Sequence, residues 1–255
     1  MGGPGMLDFL ETVASSFIGS ECAETLIGRG ELLDPSCLKV LLVKGVGFAL
    51  ILGSMLVRVP QILAIYNGGG VEGLSMASIY ADVPSYLLAV LYHALQGNPF
   101  SAWGELAFLL LQSVIILGQC WYYRKASFTE VFVAMSVAAC MIGGSSSLPL
   151  EKRSLLLVAT LPFNFAARGG QVWANFRQGH TGRLSGISTA LNFLGAAARV
   201  FTTAIEVKGD LWALTVVAIG ATWNGILLSQ ILVYRKATRE ALEQGEKDKQ
   251  KLKTS

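Results

Sequence analysis

The sequence has few charged residues. Asp, Glu, Lys and Arg together make up 15% of its 255 residues, whereas 53% of the residues are hydrophobic, and the mean hydropathy is +0.53. A soluble domain needs a largely polar surface, so this composition excludes that class and predicts a polytopic membrane protein. Residues 1–37 also lack the basic start that marks a cleavable signal peptide.

Signatures of catalysis are missing as well. The chain has no Ser-His-Asp grouping and no phosphate-binding loop of the P-loop type, and its two histidines have no metal-ligand spacing. The glycine-rich stretch NGGGVEG follows an apolar helix rather than a strand, which argues against a nucleotide site. We therefore predict that the protein is not an enzyme, holds no metal or cofactor and binds no nucleic acid.

Apolar segments long enough to cross a bilayer occur seven times along the chain. The fold class that they predict is an all-α polytopic membrane protein with seven transmembrane helices, of which the fourth is the shortest. The seven segments are 38–65, 75–95, 101–123, 128–143, 154–176, 185–205 and 211–234.

The basic residues predict the orientation. More of them fall on the side of the membrane that also holds the C-terminus, so the positive-inside rule places the C-terminus in the cytosol and the N-terminus in the lumen. Residues 1–37 then form a luminal cap and residues 237–255 a cytosolic basic tail. Two cysteines of the cap, Cys22 and Cys37, can form a disulfide in an oxidising lumen.

An internal repeat organises the spans. Residues 58–75 align without a gap with residues 168–185, and the motif YYRK at 122–125 recurs as VYRK at 233–236. Identical pairs in and just beyond the first alignment include Gln61 and Gln171, Ala64 and Ala174, Gly69 and Gly179, Leu74 and Leu184, Ser75 and Ser185, and Ser78 and Ser188.

A repeat unit of three helices ends on the opposite side of the membrane from where it began. Two parallel copies therefore need one more crossing between them, which predicts a 3+1+3 architecture with a site at the repeat interface. The predicted domains are a first repeat at 38–125, a linker helix at 126–150 and a second repeat at 151–236.

Each repeat carries a short motif near the end of its first span. Pro60 removes a backbone hydrogen bond and should kink the helix, and Gln61 could bond the freed groups or a partner helix. In the second repeat, Gly170 and Gln171 stand at these positions, and glycine should give a softer break. The alternative is a proline that caps a plain loop, followed by a solvated glutamine.

Polar residues inside the spans are costly in lipid and mark a cavity, a partner or a path. Arg168 and Arg199 could bind a lipid phosphate through their guanidinium forks. Glu105 could instead pair with Arg199, or lie at the interface while Arg199 extends toward water. The candidate residues for a lipid phosphate or a cavity are Arg168, Arg199, Asp82, Glu105, Asn192 and Asn224.

The paired PQ and GQ motifs at 60–61 and 170–171, each followed by a glycine-containing turn and LS, resemble the PQ-loop family, whose relatives include the SWEET sugar transporters and cystinosin. More closely, the chain from Cys22 to Lys236 is similar to the mannose-P-dolichol utilisation defect 1 proteins. The segments that carry this similarity are VRVPQI, EGLS, NPFSAWGELAFLLLQ, HTGRLS, NFLGAAARVFTTAIE and NGILLSQILVYRK. Arg58, where a lysine is expected, and Gly170 depart from the family pattern.

The resemblance implies a non-enzymatic protein of the endoplasmic reticulum membrane. Such a protein is needed for the use of dolichol-phosphate mannose and dolichol-phosphate glucose in lipid-linked oligosaccharide, N-glycan and GPI-anchor assembly, by flipping, presenting or organising the donor. Its implied partners are these lipids and glycosyltransferases of the endoplasmic reticulum. Lys251 and Lys253 have the spacing of a dilysine retrieval signal, which fits that location.

Two other functions remain open from the sequence. The first is a proton-coupled transporter of a small solute, sugar or amino acid, as in the wider fold group, with Asp82 or Glu105 as the proton carrier. The second is a scaffold for a glycosyltransferase.

Overall fold

The structure is a computed structural model, and it describes residues 6–71, 76–181, 184, 186–207, 209–241 and 243–244. Within these residues it consists of helices, turns and loops and contains no strand, so the all-α prediction is confirmed for them. The α-helices are α1 (Met6–Ile18), α2 (Ser20–Ala23), α3 (Pro35–Val57), α4 (Val59–Gly68), α5 (Met76–Leu95), α6 (Gly104–Arg124), α7 (Phe128–Ser146), α8 (Ser154–Val158), α9 (Leu161–Asn164), α10 (Gly170–Gln178), α11 (Gly186–Glu206) and α12 (Leu211–Val233).

Four stretches of the described chain are long and apolar enough to cross a membrane. They are Pro35–Gly68, Gly104–Arg124, Phe128–Ser146 and Leu211–Val233. Large apolar side chains such as Leu52, Leu111 and Leu232 are exposed on these helices, as expected for surfaces that a bilayer covers. The chain is therefore a multi-pass membrane protein.

The other three predicted spans coincide with helices that are more polar or interrupted. α5 is 20 residues long and contains Asp82 and Pro84, and α11 is 21 residues long. The fifth span is divided into α8, α9, a π-helix at Phe165–Gly169 and α10. The seven-span 3+1+3 layout, with its domain boundaries, stays a prediction.

Several helices begin at a side-chain cap or end at a glycine in the left-handed backbone conformation. Asp34 Oδ1 accepts a hydrogen bond of 2.8 Å from the Cys37 backbone N–H at the start of α3, and Asp210 Oδ1 accepts one of 3.0 Å from the Ala213 N–H at the start of α12. Gly69 and Gly179 have φ values of 65° and 70° and end α4 and α10. These two glycines are an aligned pair of the sequence repeat. The helices that carry the PQ and GQ motifs, α4 and α10, which we call the motif helices, therefore end in the same way.

The helices of the two predicted repeats pack in the same pattern. In the first, α6 contacts both α3 and α5, and in the second, α12 contacts both α8 and α11. The third helix of each repeat thus lies between the other two. The halves meet where α3 contacts α11 and where α5 contacts α8, and there Leu88 and Tyr92 share an apolar cluster with Leu156 and Leu157.

A pair of equivalent hydrogen bonds supports the repeat. Gln119 Nε2 on α6 donates to the Ile62 carbonyl oxygen at 3.1 Å, and Gln230 Nε2 on α12 donates to the Val172 carbonyl oxygen at 2.9 Å. Ile62 and Val172 directly follow the glutamines of the two motifs. The third helix of each half is therefore hydrogen-bonded to the same backbone position of the motif helix.

The N-terminal segment is joined to the first span. Cys22 and Cys37 form a disulfide with their Cα atoms 5.2 Å apart, and the rings of Phe17 and Phe48 meet edge to face at 5.2 Å. Of the two remaining cysteines, Cys120 is buried in the bundle and Cys140 is exposed on α7.

Gly47 on α3 allows a close approach to the segment before α6, and this generates a prediction. A Cβ atom at Gly47 would lie 2.7 Å from the Ser101 carbonyl oxygen, whereas one at Gly45, on the same helix, would meet nothing within 4 Å. We expect Gly47→Ala to lower the free energy of unfolding by about 1–3 kcal/mol because of this overlap. Gly45→Ala should leave it unchanged or raise it by up to about 1 kcal/mol.

Thermal unfolding of the two purified variants in detergent measures the difference. Equal midpoints for Gly47→Ala and Gly45→Ala would contradict the close approach.

Candidate functional site

The first span breaks at Arg58. α3 ends at Val57 and α4 begins at Val59, with Arg58 between them at φ −104° and ψ −2°. Pro60 is the second residue of α4, a position where its missing N–H costs no helical hydrogen bond. The proline therefore starts a second helix instead of kinking a continuous one.

A glutamine from another helix satisfies the backbone at this break. In an unbroken helix the Arg58 N–H would donate to the Ser54 carbonyl oxygen. In the structure the Arg58 N–H donates to Gln112 Oε1 at 2.9 Å, and Gln112 Nε2 donates to the Ser54 carbonyl oxygen at 2.8 Å. The side-chain amide of Gln112 thus bridges the interrupted pair, a role that the sequence analysis assigned to Gln61.

The side chain of Arg58 lies in a polar cluster that we call the first-break cluster: Arg58, Asp82 and Tyr86. Arg58 Nη2 pairs with Asp82 Oδ2 at 2.8 Å and donates to the Tyr86 hydroxyl oxygen at 3.3 Å. The guanidinium carbon also lies 5.5 Å from the centre of the Tyr86 ring. Asp82, predicted as a cavity residue, therefore has its charge neutralised by Arg58.

The second break is softer, in line with glycine at the place of the proline. The chain passes through the π-helix Phe165–Gly169 into α10, and Gly170 keeps helical angles of φ −58° and ψ −41°. Arg168 lies in this π-helix and donates from Nη1 to Asn224 Oδ1 at 3.0 Å. Within the described part of the chain, Arg168 forms no ion pair with a carboxylate.

The two breaks occupy equivalent positions of the repeat, but the arginines at them have partners of different charge. Arg58 and Arg168 are 110 positions apart, and so are Asp82 and Asn192. The carboxylate that neutralises the first arginine is therefore an amide in the second half, and the Asn192 side chain is exposed on α11. Sequence reasoning missed Arg58 as a site residue, although the same offset that revealed the repeat would have found it.

A second group of charges lies nearer the other end of the bundle. Arg199 on α11 is buried and forms an ion pair with Glu105 on α6. Its Nη1 also donates to the Ala102 carbonyl oxygen at 2.7 Å and to the Ser101 carbonyl oxygen at 3.3 Å. The partners of Arg199 are thus internal to the protein, and the phosphate role predicted for it stays a prediction.

Two further charged residues, Lys44 and Glu206, extend this group together with the side chain of Ser101. Lys44 Nζ on α3 lies 2.8 Å from Glu206 Oε1 on α11 and donates to Ser101 Oγ at 2.7 Å, while Ser101 Oγ donates to Glu206 Oε1 at 2.5 Å. These contacts join the two halves. Glu206 was missed from the sequence, and the signal was Lys44, a cation inside a span that needs an anionic partner.

The remaining sequence-predicted residues are placed as follows. Pro60 and Gly170 are exposed, and Gln61 and Gln171 are half-buried. The dilysine residues, Lys251 and Lys253, lie outside the described residues, as do residues 72–75, which include the first LS motif.

Comparison with known proteins finds a family match for the region that contains Pro60 and Gln61. Residues 42–102 match a family model described as the PQ loop repeat. The chain is 24% identical over 188 residues to a Homo sapiens protein described as Solute carrier family 66 member 3, an alignment that covers 72% of this chain and 90% of that protein. No solved structure matches the chain. Residues 42–102 are thus similar to a PQ-loop repeat, and the chain is distantly similar to this solute carrier.

The bridge made by Gln112 generates a prediction. Gln112→Leu removes the donor to the Ser54 carbonyl oxygen and leaves the Arg58 N–H with the Leu56 carbonyl oxygen as its one remaining partner in the structure. We therefore expect the free energy of unfolding to fall by about 1–3 kcal/mol. Gln119→Leu is the matched control, because it removes one contact and also an oxygen, Oε1, that has no partner among the described residues. Gln119→Leu should therefore cost less.

Thermal unfolding in detergent compares the two leucine variants. A larger loss in Gln119→Leu would contradict the bridging role of Gln112.

The Glu105–Arg199 pair generates a second prediction. Removing either partner leaves a buried charge, so Glu105→Gln or Arg199→Met should each lower the free energy of unfolding by about 3–5 kcal/mol. The double variant should lose less free energy of unfolding than the two single variants added together. Glu243→Gln, which removes an exposed pair with Arg239, should change it by less than about 0.5 kcal/mol.

A double-mutant cycle measured by unfolding in detergent gives the coupling. Strictly additive losses would show that the two side chains do not depend on each other.

Proposed function

We propose that this protein binds dolichol-phosphate-linked sugars in the membrane of the endoplasmic reticulum and makes dolichol-phosphate mannose and dolichol-phosphate glucose available to glycosyltransferases. The observation that carries the proposal is the charge difference between the two helix breaks. Arg58 is neutralised by Asp82, whereas Arg168 contacts the neutral amide of Asn224.

A cation without a carboxylate is costly inside a bilayer and by default marks a functional site. The guanidinium group has five N–H donors in a planar fork that matches the oxygens of a phosphate. A single arginine also matches a phosphodiester, which carries a single negative charge. Arg168 can therefore bind the phosphate of a lipid-linked sugar while Asn224 orients the fork.

The surroundings of Arg168 suit a lipid. Phe165, on the same π-helix, is exposed and meets the Trp223 ring edge to face at 5.4 Å. Farther along the chain, on α10, Trp173 and Phe176 are also exposed. An isoprenoid chain can lie along these aromatic side chains and stay in the bilayer while its phosphate reaches Arg168.

The proposed location and orientation fit the rest of the chain. With the N-terminus in the lumen, the disulfide between Cys22 and Cys37 lies in an oxidising compartment. The similarity to the mannose-P-dolichol utilisation defect 1 proteins supports the same cargo. On this proposal the protein flips, presents or organises the lipid, and the transferases carry out the chemistry.

A second candidate function is the transport of a small solute, and it rests on the description of the human relative as a solute carrier. A proton-coupled version would need Asp82 or Glu105 as the carrier. Both are ion-paired in the structure, so the lipid proposal is the better supported of the two.

The phosphate role of Arg168 generates a prediction. The purified protein is reconstituted into liposomes with a short-chain fluorescent analogue of dolichol-phosphate mannose, and the fraction of analogue accessible in each leaflet is followed with time. We expect protein-dependent crossing to fall by about tenfold or more in Arg168→Gln, because the charge-assisted bonds to the phosphate are lost. Arg177→Gln, at the exposed end of α10, is the matched control. The analogue should cross at the same rate with this variant as with the wild type.

Binding of the analogue to detergent-solubilised protein separates flipping from presentation. Binding that depends on Arg168 without crossing would indicate presentation, whereas binding and crossing that are the same in Arg168→Gln would overturn the proposal.

A further inference from the structure

α1 exposes a stripe of large apolar side chains. Phe9, Leu10, Val13 and Phe17 are 63%, 45%, 40% and 50% exposed. Successive residues of an α-helix are about 100° apart around its axis, so these four side chains lie within one stripe that is about 100° wide. We call this stripe the α1 apolar face.

Another side of α1 packs on the helical segment that follows it. α1 contacts α2 and the π-helix Glu24–Gly28. Glu11 faces that segment, because a Cβ atom at Gly28 would lie 3.6 Å from Glu11 Oε2. Glu11 is the one charged residue between Phe9 and Ile18, so the α1 apolar face itself carries no charge.

The length of this apolar stretch limits what it can be. Phe9–Ile18 is apolar but shorter than the stretches that can cross a membrane. An apolar stretch of roughly this length is a buried core helix, the centre of a signal peptide or a segment at the membrane interface. A core helix would not expose four large side chains, and a signal peptide needs a basic start, which this chain lacks. The interfacial segment is the remaining class.

The end of α1 lies at the level of a bilayer surface. The Phe17 ring meets the Phe48 ring edge to face at 5.2 Å, and Phe48 stands 20 positions before Gly68, where the first span ends. At about 1.5 Å per residue this distance is about 30 Å, the thickness of the hydrocarbon core. The close approach of Gly47 to Ser101, just before α6 begins, places the end of a second span at the same level.

The polar groups of α1 suit this position. Ser15 Oγ donates to the Thr12 carbonyl oxygen at 2.8 Å, and Ser16 Oγ donates to the same oxygen at 3.2 Å. Both hydroxyl groups are therefore satisfied within the helix and do not need water. Leu41 and Leu42, about two turns before Phe48 on α3, are exposed as well, so both helices present apolar surface near this level.

We infer that α1 lies in the plane of the membrane, with its apolar face inserted between the lipid headgroups and the acyl chains. Its partner is the leaflet on the side of the N-terminus. The disulfide between Cys22 and Cys37 and the contact of Phe17 with Phe48 hold the helix beside the first span. Met6–Ile18 contains no lysine or arginine, so burial of apolar surface drives the insertion and anionic lipids are not required.

The test measures lipid contact in the full-length protein, in phosphatidylcholine nanodiscs that each hold one copy. The fluorescent amino acid dansylalanine replaces Phe9 in one variant and Thr12 in the matched control. Thr12 is exposed on the same helix but outside the α1 apolar face. The label is excited at wavelengths that the five tryptophans of the chain do not absorb.

Two quenchers report the surroundings of the label. One is phosphatidylcholine with a nitroxide on carbon 5 of an acyl chain, and the other is iodide in the water. We expect the nitroxide to quench the label at position 9 about threefold or more strongly than the label at position 12, and iodide to show the reverse order. Val13 is a second labelling position on the apolar face and should behave as position 9 does.

Three results would overturn the inference. They are equal quenching by the nitroxide at positions 9 and 12, strong quenching by iodide at positions 9 and 13, and shielding of both positions from both quenchers, which would show that protein covers the face. The inference goes beyond the proposed function and does not depend on Arg168. Each of the three results leaves the Arg168→Gln result on the dolichol analogue as it is, so the two failures are distinguished.

Discussion

Inside a bilayer, a backbone group that loses its helical partner must find another within the protein, because lipid offers none. At Arg58 that partner is the side-chain amide of Gln112, which accepts from the Arg58 N–H and donates to the Ser54 carbonyl oxygen. This one amide ties α6 to the break in the first span. The same break places the Arg58 guanidinium against Asp82 and Tyr86. The first-break cluster therefore forms at the backbone interruption that Gln112 satisfies.

The two halves share a scaffold and differ in what it carries. Gln119 and Gln230 bond equivalent backbone positions of the motif helices. The charges diverge, because the first arginine meets a carboxylate and the second meets an amide. The duplicated unit thus has one arginine paired with a carboxylate and one paired with a neutral amide. At the other end, Lys44, Glu206, Arg199 and Glu105 form contacts that cross between the halves.

Some of the candidate site could be predicted from the sequence, and some could not. Glu105 and Arg199 were visible because charges are rare in apolar segments, and the pairing of the two follows from the cost of burying either alone. Gln112 was visible only as a polar residue in a span. Its role depends on which backbone atoms lie beside it, and those belong to a segment more than 50 positions earlier in the chain.

The sequence by itself determined that the chain is a helical multi-pass membrane protein with an internal repeat, because hydropathy and a constant offset are properties of residue order. It also indicated an interruption near Pro60, because proline acts on the local backbone, but it did not show that Pro84 would lie inside the continuous helix α5. Only the tertiary structure decided which charges are neutralised and that Arg168 has an amide for a partner. Those properties depend on distances between helices, and residue order does not contain such distances.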